Sequence, residues 1–147
     1  MNSPVPSWLN DDALQFAADD LRQAQASLDL SLNHARAQGP GLSDDPYVIA
    51  RFGDLSIRLE LARALYHRAA TSTDPAAERR VAVAEALIAS AEALRAIDDT
   101  QHELTGSRAQ RALQGGRQAL RHEYRLIGEY RLNGVQPSLA QEPRHAS

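Results

Sequence analysis

The chain has 147 residues, a formal net charge of −3 and a pI near 5.9, and it contains no cysteine. The length suits one domain, the acidic balance argues against nucleic acid as the main partner, and the lack of cysteine excludes disulfides and thiolate chemistry. No stretch approaches the roughly 18 apolar residues of a membrane span or resembles a signal peptide, so we expect a cytoplasmic protein that does not enter the membrane.

The beginning of the chain predicts an extended N-terminal arm over residues 1–10, followed by a first helix over about 11–38. Asn10 is the expected N-cap of this helix, because its side chain can accept hydrogen bonds from free backbone amides of the first turn. Gly39-Pro40-Gly41 should end it. An apolar stripe follows the helical period at Leu14, Ala17, Leu21, Ala24, Leu28 and Ala35.

A second helix is predicted from Pro46 to about Thr71, with Asp45 as its N-cap. Proline suits the first helical position, where its missing N–H costs nothing. Steps of three and four residues again indicate an apolar stripe, formed by Phe52, Leu55, Leu59, Ala62, Tyr66 and Ala69.

The third helix is expected to repeat this start, with Asp74 as the cap and Pro75 as the first helical residue, and to stop at Gly106. Its stripe comprises Val83, Leu87, Ser90, Leu94, Ile97, Gln101 and Leu104. Three glutamates seven residues apart, Glu78, Glu85 and Glu92, share one side of the helix, and we interpret them as a solvated face.

After Gly106 the pattern weakens. Ser107 can cap a short turn through Leu113, Gly115-Gly116 should break it, and a last helix is predicted over about 117–132. Leu120, Tyr124 and Ile127 should face the bundle, and 138–147 should form a flexible tail. These elements predict an all-α protein, an antiparallel four-helix bundle over 11–137 whose fourth helix is broken.

Residue patterns on their own indicate no catalytic, metal-binding or phosphate-binding site. Among the five histidines only His145 follows a glutamate at the Glu-x-x-His spacing of bundle di-iron sites, and it lies in the predicted tail rather than on a helix, so we expect no metal site. No nucleophile elbow or phosphate loop is present. The titratable cluster from Arg121 to Arg125 is interpreted as a solvated face with ion pairs along the helix.

Three stretches together resemble a known family: Ser43 to Leu55, Glu103 to Ser107, and Tyr124 to Pro137 with its Tyr-x-x-x-Gly-x-Tyr-x-Leu-Asn-Gly pattern. Their order and spacing are similar to the C-terminal helical domain of the acyl-CoA dehydrogenase superfamily. Within it, they most resemble the flavin-dependent monooxygenases that act on dibenzothiophene or sulfones. Family members also have an N-terminal helical domain and a middle β-domain, so we expect a stand-alone version of the last domain.

The resemblance implies candidate site residues. In the family, this bundle forms the oligomer interface and supplies an arginine and a Gly/Ser/Thr loop to flavin phosphates of a neighbouring subunit. Arg36 is placed like that arginine, and Thr105, Gly106 and Ser107 are placed like the loop. The monooxygenases also have a histidine before the last helix, near the flavin ring. That segment is shortened here, and His122 is its counterpart, the candidate catalytic residue.

The resemblance implies an oxidoreductase subunit. It would complete the flavin site and oligomer interface of a larger dehydrogenase-like partner, with FAD or FMN bound only if shared with that partner. Two alternatives stay open. One is a non-catalytic oligomerisation or scaffold module, which would form homo-oligomers. The other is a cofactor-free enzyme in which His122 and neighbouring Glu or Tyr side chains act as acid and base groups inside an enclosed apolar cavity.

Overall fold

The structure is a computed structural model that describes residues 7–109 and 120–137. Every element in these ranges is a helix, as the sequence predicts: α1 (Ser7–Ala37), α2 (Pro40–Ser43), α3 (Pro46–Thr71), α4 (Ala76–Thr105) and α5 (Leu120–Asn133). The predicted turn through Leu113, the break at Gly115-Gly116 and the tail over 138–147 lie outside the described residues, except for the first residues of that turn.

Helices α1, α3 and α4 form the core of the bundle. Leu14 packs in the same cluster as Val83, and Ser27 Oγ donates to Asp98 Oδ1 at 3.1 Å, so α1 and α4 run in the same direction. Helix α3 runs the opposite way, because Arg51 near its start bonds Thr100 near the end of α4. The three long helices therefore alternate in direction along the chain, as expected, whereas Glu123 and Arg131 of α5 both contact α4 within residues 78–85.

The predicted stripes of α1 and α3 form most of the apolar core. All six predicted residues of α1 are buried, and so are Leu55, Leu59, Ala62 and Ala69 of α3, while Phe52 and Tyr66 are partly buried against them. Each fully buried leucine contributes about 1.5–3 kcal/mol through the hydrophobic effect. Buried hydroxyls of Ser31, Ser90 and Thr100 donate to carbonyls one turn earlier in their own helices, which satisfies each donor locally, and Thr100 Oγ1 also accepts from Arg51 of α3.

The ends of the helices follow the predicted chemistry at two places. Asp45 caps α3, since its Oδ1 accepts from Tyr47 N at 2.8 Å and from Val48 N at 3.4 Å. Gly106 ends α4 in the left-handed conformation, with φ of 76°, and its N–H donates to His102 O at 2.9 Å. Only glycine adopts this φ without a steric cost.

Three boundary predictions are corrected. Asn10 lies inside α1 rather than at its cap, since the helix already includes Ser7. At the start of α4 the cap position is Pro75, which has no side-chain hydrogen bond, whereas the N–H of Asp74 donates to Ser72 Oγ at 3.2 Å. The segment after α1 continues, after Gly39, into the four-residue helix α2, which the sequence did not predict.

The core leads to a stability prediction with a matched control. Leu55→Ala should lower the free energy of unfolding by about 2–5 kcal/mol, because Leu55 is fully buried and truncation leaves a cavity. Leu132→Ala in α5 should change it by less than about 0.5 kcal/mol, because Leu132 is 83% exposed. Urea denaturation followed by circular dichroism measures both, and equal losses would contradict this description of the core.

Candidate functional site

The residues that the resemblance assigns to flavin phosphates lie at one end of the bundle. Because α1 and α4 are parallel, Arg36 in the last turn of α1 and Thr105 at the end of α4 reach the same end. His34 and Leu104 line one depression there, which confirms that the two helix ends are neighbours. We call this region the α1–α4 end.

The loop Thr105-Gly106-Ser107 is shaped by the threonine hydroxyl. Thr105 Oγ1 donates to Gln101 O at 2.7 Å and accepts from the backbone N–H of Ser107 at 3.2 Å. The two hydroxyls of Thr105 and Ser107 are 3.2 Å apart. Since Thr105 is engaged with the backbone, its role is to hold the turn, and the exposed Ser107 is the residue of the loop that presents a hydroxyl to solvent.

Arg36 is an exposed cation at the same end of the bundle as this loop. Its carbonyl accepts from Gly39 N at 3.2 Å, which helps to turn the chain after α1, and its side chain forms no ion pair with another described residue. An arginine without an internal carboxylate partner is available for an external anion, and its planar guanidinium suits phosphate oxygens.

An open depression of about 510 Å³ lies at the same end, lined by His34, Gln38, Gly41, Leu42 and Leu104. Two of these residues belong to α2, so the short helix forms one of its walls. Sequence reasoning missed this depression because it did not predict α2.

His122 lies elsewhere. It is exposed on α5, and the next residue, Glu123, bonds Arg80 near the start of α4. Arg80 and Thr105 are 25 residues apart on one helix, which is roughly 37 Å at 1.5 Å per residue. The structure therefore places Arg36 and Thr105–Ser107 at the same end of the bundle, with no direct contact described between them, and leaves His122 far from that end within one chain.

A protein-family model matches most of this chain. The family model described as acyl-CoA dehydrogenase, C-terminal domain, matches residues 5–128. The chain belongs to this family. None of the curated proteins matches it in sequence. The match spans α1 to α4 and the start of α5, so the α1–α4 end is part of the acyl-CoA dehydrogenase C-terminal domain.

A buried ion pair joins the last helix of this domain to α4. Arg80 Nη1 and Nη2 donate to the two carboxylate oxygens of Glu123 at 3.0 and 3.1 Å, and the side chains are only 10% and 4% exposed. This corrects two predictions for α5, since Glu123 faces the bundle and Tyr124 is 53% exposed. No described element other than α4 packs against α5.

The predicted solvated face of α4 is also corrected. Tyr130 Oη donates to Glu78 Oε1 at 2.6 Å, and Arg131 bonds the same carboxylate at 3.3 and 3.4 Å. Glu85 forms ion pairs with Arg68 of α3 and Arg131 of α5 at 3.4 and 3.6 Å. Glu78 and Glu85 therefore connect helices from partly exposed positions, with 32% and 22% of their side chains exposed.

Neither His122 nor a metal centre is supported by these contacts. Glu123 is bound to Arg80 and is therefore not free to act as an acid–base partner of His122. His122 also lines neither the depression at the α1–α4 end nor a second depression lined by Asp20, Arg95 and Asp98. In the described ranges, no group of three or more metal-ligating side chains is present. No helix of the described part is long and apolar enough to cross a bilayer.

The pair Glu78–Tyr130 predicts how stability depends on pH. The hydrogen bond from Tyr130 lowers the pKa of Glu78 below 4.5, and the same bond raises the pKa of Tyr130 above 10.0. The Glu78 carboxylate stabilises the fold above its unfolded-state pKa, and this contribution is lost as the pH falls through the lowered pKa of the folded state. The Tyr130 phenol stabilises the fold below its unfolded-state pKa of 10.0, and this contribution is lost as the pH rises through the raised pKa of the folded state.

Tyr130→Phe should remove the alkaline loss and reduce the acid loss contributed by this pair, while the neutral-pH stability falls only slightly because the site is exposed to solvent. Urea denaturation at several pH values checks this, with Tyr47→Phe as the control, since Tyr47 is 68% exposed. An unchanged pH profile in Tyr130→Phe would show that the bond does not form in solution.

Proposed function

We propose that the protein is a small helical subunit of a heteromeric flavin-dependent oxidoreductase of the acyl-CoA dehydrogenase type. It would complete the flavin site and the oligomer interface of a larger partner. The dibenzothiophene and sulfone monooxygenase-like branch, suggested by the Tyr124 to Pro137 pattern, is the chemistry that we expect of that enzyme.

The observation that carries the proposal is the α1–α4 end. That end of the bundle carries an exposed Arg36, the loop with the hydroxyl of Ser107, and an open depression lined by His34, Gln38, Gly41, Leu42 and Leu104. A cation and a hydroxyl donor at one end of the bundle suit the phosphate groups of FAD or FMN. The flavin, when bound, supplies the redox chemistry. Arg36 would neutralise phosphate charge, Ser107 would donate a hydrogen bond, and Thr105 with Gly106 would hold the loop in place.

The site is open on this chain, which supports sharing it with a partner. Its described lining residues come from α1, the turn after it, α2 and α4, and the depression is not enclosed. A cofactor held here needs further surface from another polypeptide to bury it.

A scaffold role is the second candidate, and the outer side of α3 favours it. Tyr47, Ile57 and Leu61 are 68%, 70% and 57% exposed, so this helix presents apolar side chains away from the core as well as toward it. Such a surface is typical of association. The cofactor-free enzyme has no comparable support, because His122 lies in neither described depression.

The flavin proposal is tested by pull-down of the chain with a larger dehydrogenase-like flavoprotein and by co-expression of the two. Wild-type chain should raise the flavin content of the purified complex, and Arg36→Ala should weaken flavin binding about 10- to 100-fold, the loss of one charge-assisted bond. Flavin absorbance of the complex and titration with FAD and FMN measure this.

Arg22→Ala is the matched control, since Arg22 is an exposed arginine of the same helix and its side chain is 71% exposed. It should leave flavin binding unchanged. If the wild-type chain joins the complex without changing flavin content, the scaffold role is correct instead.

A further inference from the structure

Helix α5 adds little apolar surface to the bundle. Its one buried residue is the charged Glu123, and neither of the two described core clusters contains a residue of α5. Leu126 and Ile127 are only partly buried, while Tyr124 and Leu132 are 53% and 83% exposed. Separating α5 from α4 would therefore take no side chain out of either core cluster.

The polar contacts described between α5 and α4 all involve a carboxylate. They are Arg80–Glu123, Tyr130–Glu78, Arg131–Glu78 and Arg131–Glu85, which we call the α5 pairs. A proton on a carboxylate removes the negative charge that each pair needs. Since Glu78 accepts from two residues of α5, one proton there weakens two contacts at once.

We propose that the α5 pairs form a pH-sensitive switch. At neutral pH α5 covers the start of α4, and at acid pH it separates from α4 as a unit while α1, α3 and α4 stay together. The start of α4 is then accessible only at acid pH. This inference does not depend on the proposed flavin site.

The buried Arg80 explains why protonation would release α5 rather than only weaken its contacts. A guanidinium keeps its charge at every accessible pH, and the Arg80 side chain is only 10% exposed. Once Glu123 is neutral, Arg80 is a buried charge without a counter-ion, which is strongly unfavourable. The adjacent Arg79 adds positive charge, and its Nε is itself buried without a hydrogen-bond partner. Moving Glu123 away returns Arg80 to water.

The other charged groups at this interface act in the same direction. Arg68 of α3 and Arg131 of α5 both approach Glu85, at 3.4 and 3.6 Å, so both lose their partner when Glu85 is protonated. The exposed basic residues of α5 next to Glu123 are Arg121, His122 and Arg125. Because histidine gains charge on acidification, α4 and α5 then repel each other more strongly.

Hydrogen exchange of the full chain, measured by mass spectrometry, tests the release. The protection of an amide is its intrinsic exchange rate divided by its measured rate at the same pH. From about pH 7 to about pH 3.5, the protection of α5 should fall about tenfold more than that of α3 around Leu55, because a detached helix of 14 residues is marginal in water. An equal loss in both helices, or unchanged protection of α5, overturns the proposal.

Glu123→Gln imitates the protonated carboxyl at neutral pH, where acid does not affect the rest of the chain. It should lower the protection of α5 about tenfold or more and leave that of α3 unchanged. Glu129→Gln is the matched control, because Glu129 lies partly buried on the same helix and accepts from Asn133 of α5 at 3.2 Å. If the two variants behave alike, Glu123 does not hold α5 in place and the proposal is wrong.

A variant without the buried charges separates charge from shape. Arg80→Met with Glu123→Leu replaces the pair by apolar side chains of similar size, so no unpaired charge is left at the interface. This double variant should keep α5 protected at neutral pH and lose less of that protection at acid pH than the wild-type chain does. Release of α5 at neutral pH, or an acid loss as large as that of the wild type, would show that the Arg80–Glu123 pair is not the switch.

Discussion

The packing around α4 is the constraint on which the other helices depend. Within the described residues it is the one helix that packs against each of α1, α3 and α5. Five consecutive residues, 80–84, are buried, so the helix is surrounded on all sides near its start. Helices α1, α3 and α5 can all approach α4 closely because many of its side chains are alanine. Small side chains contribute little apolar area each, but they shorten the distance between helix axes, and the dispersion contacts of three interfaces accumulate.

The Arg80–Glu123 pair determines where α5 docks on this surface. Its two parallel hydrogen bonds require one relative orientation of guanidinium and carboxylate. Apolar contacts impose no such orientation. Removing charges from water costs several kcal/mol, so the pair is weak evidence for net stability. Losing one partner, however, would leave an uncompensated buried charge, and this makes other positions of α5 unfavourable. Tyr130 and Arg131 add contacts to Glu78 that tie the far end of α5 to the same helix.

Much of the core could be predicted because leucine and alanine recur at the helical period, and Asp45 and Gly106 were predictable because their roles depend on local backbone chemistry.

The predictions that failed concern features that depend on tertiary context. Asp45-Pro46 and Asp74-Pro75 look alike in sequence, yet the carboxylate caps only α3. Helix α2 is too short to show a period. In α5, apolar periodicity pointed to Tyr124, whereas an arginine 43 residues earlier binds Glu123 and turns that residue inward. No local pattern encodes such a pairing. At the candidate site, the parallel directions of α1 and α4 explain why Arg36 and Thr105 lie at the same end of the bundle. A resemblance to aligned motifs carries that information where composition does not.

The separation between the α1–α4 end and His122 limits what one chain can do. Roughly 37 Å of helix lies between them, since α5 docks near the start of α4 while the loop at Ser107 follows its end. A single copy therefore has an exposed arginine and a hydroxyl-bearing loop at one end and an exposed histidine near the other. If both acted on one cofactor, they would have to come from different chains. If only the α1–α4 end acted, the chain would contribute binding and the proposed partner would supply the groups that react. Both cases of the proposed function require an assembly, and an exposed apolar side on α3 is a surface that could take part in one.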